Sequence, residues 1–165
     1  MKAKKVIALA MVMTMGLSMS TLGVSAAEGT GTTEVSYNNQ NEIPDPENPA
    51  DPEWVVTIPS SIVFTDTNKE LDASVELVEK TALPAGDVTV TVKSGNNYHL
   101  QLGSGDDAVS YSLTYDGKLM TDTNIEVAVL NSSSRKKAGK AILTGNATKA
   151  GLHTDTLTYT VSYTK

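Results

Sequence analysis

The stretch Leu157-Thr158-Tyr159-Thr160-Val161-Ser162-Tyr163 decides the fold class of this 165-residue chain. Its apolar and hydroxyl-bearing residues alternate without a break. Strict alternation is typical of a β-strand with one buried and one solvent-facing side, because successive side chains of a strand point to opposite faces. The sequence therefore predicts a long strand near this end of the chain.

The same period of two recurs upstream, between segments of turn-forming residues. Tyr115-Asp116-Gly117-Lys118 is the clearest turn, because Asp-Gly favours the type I′ turn of a two-residue hairpin. We predict about eight or nine short strands and no stable helix over residues 54–165, arranged as an Ig-like antiparallel β-sandwich. The predicted strands include 54–58, 62–64, 74–78, 88–92, 98–102, 109–115 and 157–163.

The inward-facing apolar positions of these strands predict the core. We expect the space between the sheets to be filled by Trp54, Val56, Ile58, Val88, Val90, Val92, Leu100, Leu102, Leu113, Val127, Val129, Leu157 and Val161. Burying each such side chain contributes roughly 1.5–3 kcal/mol, which is enough in sum to hold one domain together.

The first 26 residues have the three parts of a secretory signal peptide. A basic start, Met1–Lys5, precedes an apolar run over 6–17, and small residues then lead to Val24-Ser25-Ala26. We expect cleavage after Ala26 or Ala27, which gives a secreted, extracellular product with no membrane span. Loss of the lysines in the basic start takes the formal net charge from −6 to −9.

Residues 27–53 differ in composition from the segment that follows them. Four of the six prolines and seven acidic residues lie here, without any basic residue. Such a segment buries too little apolar surface to offset its chain entropy. We therefore predict a disordered acidic Pro-rich spacer over 27–53 and a folded domain over 54–165.

Composition excludes several classes of function. The chain has no Cys, which rules out disulfides, thiol nucleophiles and Cys-ligated zinc. Nucleic-acid binding needs clustered Lys and Arg, which does not suit an acidic chain. His99 and His153 are predicted to be solvated, and no nucleophile elbow accompanies the Ser residues. We therefore expect a protein that is not an enzyme.

Two stretches of the chain resemble known surface modules. Residues 141–148 and Ala150–Tyr163, with Gly151, Asp155 and an alternating Thr strand, resemble the ending of small secreted Gram-positive surface proteins. These include WxL-type cell-wall domains, and spore-coat-U-like and fimbrial-type sandwiches end in a similar way. Residues 56–64 resemble the first strand of the Gram-positive modules. The resemblance implies a β-sandwich at a Gram-positive cell surface, although WxL proteins carry Trp-x-Leu motifs and this chain has Trp54-Val55-Val56.

Oxygen-bearing side chains alternate at Asp66, Asn68, Glu70 and Asp72. Ca²⁺ loops gather carboxylates at this spacing, but the central Gly and the distal Glu of an EF-hand are absent. A polar loop between strands is the expected structure, and a Ca²⁺ site is the alternative. No other cofactor is predicted.

One basic cluster is formed by Arg135, Lys136, Lys137 and Lys140. A solvated hairpin tip accounts for it without any ligand, and the alternative is a contact surface for an anionic cell-wall polymer. An intramolecular Lys–Asn isopeptide bond is a further alternative, which the pattern does not locate.

The expected function is adhesion or binding at the bacterial surface. A secreted, non-enzymatic β-sandwich of this kind would contact a surface protein or a cell-wall glycan. The alternative is a structural subunit of a surface assembly that self-associates through its edge strands, because the long last strand would pair with another chain if its edge were free.

Overall fold

The structure is a computed structural model, and it describes residues 41–105 and 107–165. The predicted signal peptide 1–26 and the first part of the predicted spacer, 27–40, lie outside the described residues. No helix among the described residues is long and apolar enough to cross a membrane. The described strands are, in chain order, β1 (Glu42–Pro44), β2 (Trp54–Thr57), β3 (Glu70–Asp72), β4 (Val75–Glu79), β5 (Asp87–Ser94), β6 (His99–Leu102), β7 (Ala108–Tyr115), β8 (Lys118–Leu119), β9 (Glu126–Leu130), β10 (Lys136–Lys137), β11 (Gly139–Leu143), β12 (His153–Thr154) and β13 (Leu157–Thr164).

The all-β sandwich class is confirmed, and every strand pair is antiparallel. One sheet has the order β1-β2-β4-β10, and a second has β12-β6-β7-β11-β3 with β8 on β7. The third sheet, β13-β5-β9, contributes apolar side chains to the same core. The described residues hold 13 strands rather than eight or nine. Bends divide two longer segments into halves, and the short strands β1 and β12 add two more.

Those two bent segments join the first two sheets. β3 and β4 belong to one segment, β10 and β11 belong to the other, and their register is unbroken from Lys136↔Glu76 to Ile142↔Glu70. At the bend, Ala73 donates its N–H to the Gly139 carbonyl at 2.9 Å. The Gly139 N–H is donated to the Ser74 hydroxyl at 3.3 Å instead of to the Ala73 carbonyl, so the register carries across the bend with one main-chain hydrogen bond replaced by a side-chain bond.

The predicted Asp-Gly hairpin is confirmed. β7 pairs with β8 through Tyr115↔Lys118. Both turn residues have positive φ, 47° at Asp116 and 77° at Gly117, as a type I′ turn requires.

The predicted core is confirmed in the central strands and needs one correction. Val88, Val90 and Val92 of β5 are fully buried. In β9, however, Val129 is 42% exposed, and Ala128 is buried instead. The register with β5 shifts from Val90↔Ala128 to Thr91↔Glu126, so one extra residue forms a β-bulge. The bulge reverses the inward and outward faces after Val127, and simple alternation cannot show this.

The remaining predicted core positions fall into two groups, which are fully buried and half-buried. Trp54, Val56, Leu113 and Val127 are buried, whereas Ile58, Leu100, Leu102, Leu157 and Val161 are half-buried. The half-buried positions lie in edge strands, in the short strand β6 or just past the end of a strand, where fewer neighbours cover a side chain.

The predicted start of the folded domain at residue 54 is too late. β1, which lies inside the predicted spacer, pairs with β2 and places Ile43 opposite Val56. Asp45 is buried, and its carboxylate accepts the Glu47 N–H at 2.9 Å. Pro44 has no N–H, but in an edge strand that position faces solvent, so no hydrogen bond of the sheet is lost. A Pro-rich acidic composition therefore does not prevent strand pairing here.

Val127 and Val129 provide a matched test of the bulge. Val127→Ala should lower the free energy of unfolding by about 2–3 kcal/mol, because it empties a buried site. Val129→Ala should change it by less than about 0.5 kcal/mol, because Val129 faces solvent. Urea denaturation of both variants checks this, and equal losses would show that β9 has no bulge.

Gly139 tests the bend between β10 and β11. A Cβ at this position would collide with the Tyr115 ring and lie 2.7 Å from the Ala73 carbonyl oxygen. Gly139→Ala should therefore lower the free energy of unfolding by about 1–3 kcal/mol. Gly95→Ala is the control, because its Cβ would meet atoms no closer than 3.5 Å. Equal thermal unfolding midpoints for the two variants would contradict the tight bend.

Candidate functional site

β13 is an eight-residue edge strand. It pairs with β5 over eight positions, from Leu157↔Ser94 to Thr164↔Asp87, and no described strand pairs with its other side. Its odd-numbered side chains are half-buried and its even-numbered side chains are exposed. The predicted alternation of this strand is therefore confirmed, and its inner face is only partly covered.

The backbone of β13 presents unpaired polar groups to solvent along that free side. The Thr156 carbonyl accepts the Gly95 N–H at 2.8 Å, and the register beyond this bond is unbroken. In an antiparallel strand, one residue directs both its N–H and its C=O to one side, and the next residue directs both groups to the other side. The N–H and C=O groups of Leu157, Tyr159, Val161 and Tyr163 therefore point away from β5.

The free edge of β13 has none of the usual protection against pairing. Proteins guard exposed edges with charged residues, Pro or very short strands. β1 carries Glu42 and Pro44, and β3 carries Glu70 and Asp72. The β13 sequence LTYTVSYT contains no charged residue, Pro or Gly. Among these three outer strands, β13 is the one suited to accept another strand.

A groove with a partly apolar lining, called the apolar groove after its larger side chains, lies beside the first half of β13. Its cavity volume is about 360 Å³. The apolar lining is contributed by Ile58, Ile62, Phe64, Leu100, Leu157 and Tyr159. The Phe64 and Tyr111 rings pack at a centroid distance of 5.9 Å. The groove therefore offers aromatic and aliphatic surface directly next to the unpaired backbone.

The predicted strand 62–64 is wrong, and its absence is what shapes the groove. After Ile58 donates its N–H to the Asn41 carbonyl at 2.8 Å, Pro59 has no N–H to continue the pairing. Residues 58–64 form no strand and line one wall of the groove. They do not pair with β13.

The carboxylate of Asp155 lies at the polar end of the groove and is fully hydrogen-bonded. Its Oδ2 accepts the Ser94 hydroxyl at 2.6 Å and the Tyr111 hydroxyl at 2.5 Å. Its Oδ1 accepts the N–H groups of Asn96 at 3.0 Å and Thr156 at 2.7 Å. Burial, and then the hydrogen bond to Asp155, raise the pKa of Tyr111 above its usual value. The carboxylate ties three strands together and has little capacity left for a ligand.

Tyrosine hydroxyls form a second interior polar group near β13. Tyr115 and Tyr159 share a hydrogen bond at 2.9 Å. Burial raises the pKa of Tyr159 to about 12, and it raises that of Tyr115 further. The Tyr98 hydroxyl is buried without a partner among the described residues, and burial raises its pKa as well. These hydroxyls are therefore neutral at physiological pH.

The structure does not bring the predicted Ca²⁺ ligands into a metal centre. Glu70 binds Lys140 at 2.5 Å, and Asp72 accepts the Ser74 hydroxyl at 2.6 Å. Asp66 and Asn68 belong to the turn before β3, where Asn68 and Thr65 exchange main-chain hydrogen bonds. Within residues 41–105 and 107–165, no three His, Asp or Glu side chains are placed to hold a metal ion. Only Asp66 and Asn68 lie in a loop, because Glu70 and Asp72 belong to β3.

The predicted basic cluster lies on β10, β11 and the residue before β10, and its three lysines are paired with carboxylates. Arg135 donates a hydrogen bond to the Leu77 carbonyl at 3.5 Å. The lysines form ion pairs: Lys136 with Glu76 at 3.8 Å, Lys137 with Asp116 at 2.6 Å and Lys140 with Glu70 at 2.5 Å. The three lysine pairs place a carboxylate beside each ammonium group, which weakens attraction for a polyanion. Wall-polymer binding by these residues stays a prediction.

The two histidines differ, and the expectation for His153 is wrong. His99 is exposed on β6. The His153 side chain is only 8% exposed, and its Nε2 lies 3.0 Å from Asp107. Asp107 also accepts the N–H groups of Lys149 and Thr148, and these bonds hold its pKa well below the usual range. The pair holds the turn before β12 in place.

Comparison with known proteins assigns no family to the chain. No family model and no curated protein sequence matches it. The chain is similar to one from a solved structure described as "Chaperone-tip adhesin complex is vital for synergistic activation of CFA/I fimbriae biogenesis", with 12% identity and a TM-score of 0.37. The match covers 81% of this chain and 40% of that one, so this chain spans less than half of its length. The WxL and spore-coat-U resemblance stays a prediction.

Sequence reasoning missed Asp155, although one signal for it was present. Asp155 has the same odd-numbered phase as Leu157 and Tyr159, so alternation places a carboxylate on the inward face. A charged side chain on an inward face must be paired or hydrogen-bonded. That phase could have identified Asp155 as an interior hydrogen-bond acceptor.

Asp155→Ala should lower the free energy of unfolding by about 2–4 kcal/mol, because two hydroxyls and two N–H groups lose their acceptor. Asp66→Ala is the control, because Asp66 is exposed and its loss should cost less than about 0.5 kcal/mol. Chemical denaturation measures both. Equal stability of the two variants would contradict the role of Asp155.

The tyrosine pair predicts loss of stability in alkali. The raised pKa values of Tyr115 and Tyr159 mean that their contribution is fully present below pH of about 10, the usual tyrosine pKa. It is lost as pH rises toward the folded-state value of about 12 for Tyr159. Circular dichroism against pH should show a higher unfolding midpoint for the double variant Tyr115→Phe, Tyr159→Phe. An unchanged midpoint would contradict this.

Proposed function

We propose that this chain is a secreted, non-enzymatic β-sandwich that acts at the bacterial surface by binding a protein chain along the β13 edge. The observation that carries the proposal is an eight-residue edge without charge or Pro beside an apolar groove. An extended segment added to this edge would gain main-chain hydrogen bonds and place alternate apolar side chains over the groove.

The polar groups at the site favour a protein partner over a glycan. Sugar recognition needs free donors and acceptors at the binding surface. The Asp155 carboxylate is occupied by four hydrogen bonds from within the chain. The lysines of the basic cluster are paired with carboxylates. The apolar side chains of the groove and the unpaired main chain of β13 suit an extended protein segment.

The same groups support a binding role rather than catalysis. A nucleophile or general base needs a reactive group that is free to exchange a proton with substrate. The Tyr111 hydroxyl donates to Asp155, and the Tyr115 and Tyr159 hydroxyls bind each other. Burial holds all three in the neutral form. These groups stabilise the sandwich.

Location at the surface is supported by the sequence. The basic start, apolar run and Val24-Ser25-Ala26 site predict export. Adhesion and surface assembly are both consistent with binding at the β13 edge.

Retention on bacterial surfaces tests this function. Fluorescently labelled secreted chain is applied to intact cells, protease-treated cells and cells stripped of wall glycan. Retention should fall at least tenfold after protease treatment and persist after glycan removal. Retention that survives protease but not glycan removal would overturn the proposal.

Val161→Pro tests the edge itself, because it removes an N–H that points away from β5. Val161→Ala is the matched control, since it shortens the same side chain and keeps the N–H. We expect Val161→Pro to abolish retention and Val161→Ala to reduce it less than threefold. Equal retention of the two variants would contradict strand addition at this edge.

A further inference from the structure

We propose that the chain bound at the β13 edge is a second copy of this protein. The two β13 strands pair antiparallel about a two-fold axis at Thr160, so that the sheet continues from one copy into the other. This inference rests on the proposed function in one respect, which is that both use the same edge.

The main-chain groups of β13 are complementary to themselves in this register. The four residues whose N–H and C=O groups point away from β5 are Leu157, Tyr159, Val161 and Tyr163. With Thr160 on the axis, Leu157 lies opposite Tyr163 of the second copy, and Tyr159 lies opposite Val161 of the second copy. Each of these pairs exchanges two hydrogen bonds in an antiparallel ladder. The outward-pointing groups of the strand are all satisfied.

The side chains are complementary in the same register. Residues directly opposite in an antiparallel pair share a face of the sheet. The exposed Thr158 therefore lies opposite Ser162 of the second copy, and Thr160 lies opposite Thr160 of the second copy. Hydroxyl-bearing residues stay on the outer face, and the apolar residues stay on the inner face above the two grooves.

The distribution of charged residues over the outer strands favours the β13 edge, and it favours a second copy as the chain bound there. β13 has no charged side chain, so two copies meet there without repulsion. β1 carries Glu42 and Pro44, and β3 carries Glu70 and Asp72, which are the charged and Pro residues that disfavour strand addition at an edge. A partner strand with charged alternate residues would find no opposite charge on β13. An alternating apolar and hydroxyl strand fits, and β13 itself has that pattern.

A single substitution on the axis tests the pairing. Thr160 is exposed, so Thr160→Lys leaves the fold of each copy intact and places two lysines directly opposite each other in the dimer. Sedimentation equilibrium should show a concentration-dependent dimer for the original chain and at least tenfold weaker association for Thr160→Lys. Thr160→Glu should weaken association equally. An equimolar mixture of the two variants should restore it, because each Lys then lies opposite a Glu.

Two double variants test the register. Thr158→Lys with Ser162→Glu places opposite charges across the interface, whereas Thr158→Lys with Ser162→Lys places like charges there. The first should associate at least as tightly as the original chain, and the second at least tenfold more weakly. Thr81→Lys, at an exposed position between β4 and β5, is the control and should not change association.

The outcomes separate this inference from the proposed function. A strictly monomeric chain at every concentration, or a mixture of Thr160→Lys and Thr160→Glu that stays monomeric, would overturn pairing between copies. Edge-dependent retention on cells would then point to another protein as the occupant, and the proposed function would stand. If Val161→Pro leaves retention on cells unchanged while the mixture of Thr160→Lys and Thr160→Glu associates, the proposed function would be overturned and the dimer would stand.

Discussion

The unbroken antiparallel pairing of β13 with β5 is the interaction on which the rest of the sandwich depends. It holds Tyr159 against Tyr115 and places Tyr163 against Trp54, with ring centroids 5.6 Å apart. It also positions Asp155, whose carboxylate binds groups from β5, the β5–β6 turn and β7. Because β5 uses its other side to pair with β9, β13 is left as one of the two outer strands of its sheet. The same pairing that completes the core therefore creates the free edge.

Alternation in the sequence was sufficient to predict the all-β class and the phase of β13, and the Asp116-Gly117 turn residues predicted the hairpin. These features depend on neighbours along the chain, which the sequence displays directly. The inward face of β9 could not be predicted, because the bulge at Val127 follows from its register with β5. The strand expected at 62–64 fails for a related reason, since apolar residues after Pro59 have no strand beside them to pair with. Periodicity reports which side of a strand is apolar, and it does not report which strand lies next to it.

The candidate site was less accessible to sequence reasoning than the fold. The basic cluster and the alternating oxygen ligands were visible as residue types, but cross-strand partners occupy Lys140 and Glu70 with each other. The β13 edge was foreseen only as a conditional, because the order of strands in a sheet decides which strand is outermost. Once that order is known, the sequence shows whether an edge strand carries the charged residues or Pro that protect it from pairing. Absence of charge in LTYTVSYT becomes meaningful only because the strand is an edge.

Amide hydrogen exchange along β13, measured at low and high protein concentration, tests the central claim most directly. The N–H groups of Thr158, Thr160 and Ser162 should be protected at both concentrations, because they point to β5. Those of Tyr159, Val161 and Tyr163 should exchange rapidly in dilute solution and become protected as concentration rises. Protection of all six amides at every concentration would contradict a free edge, and rapid exchange of the outward three at every concentration would contradict pairing between copies.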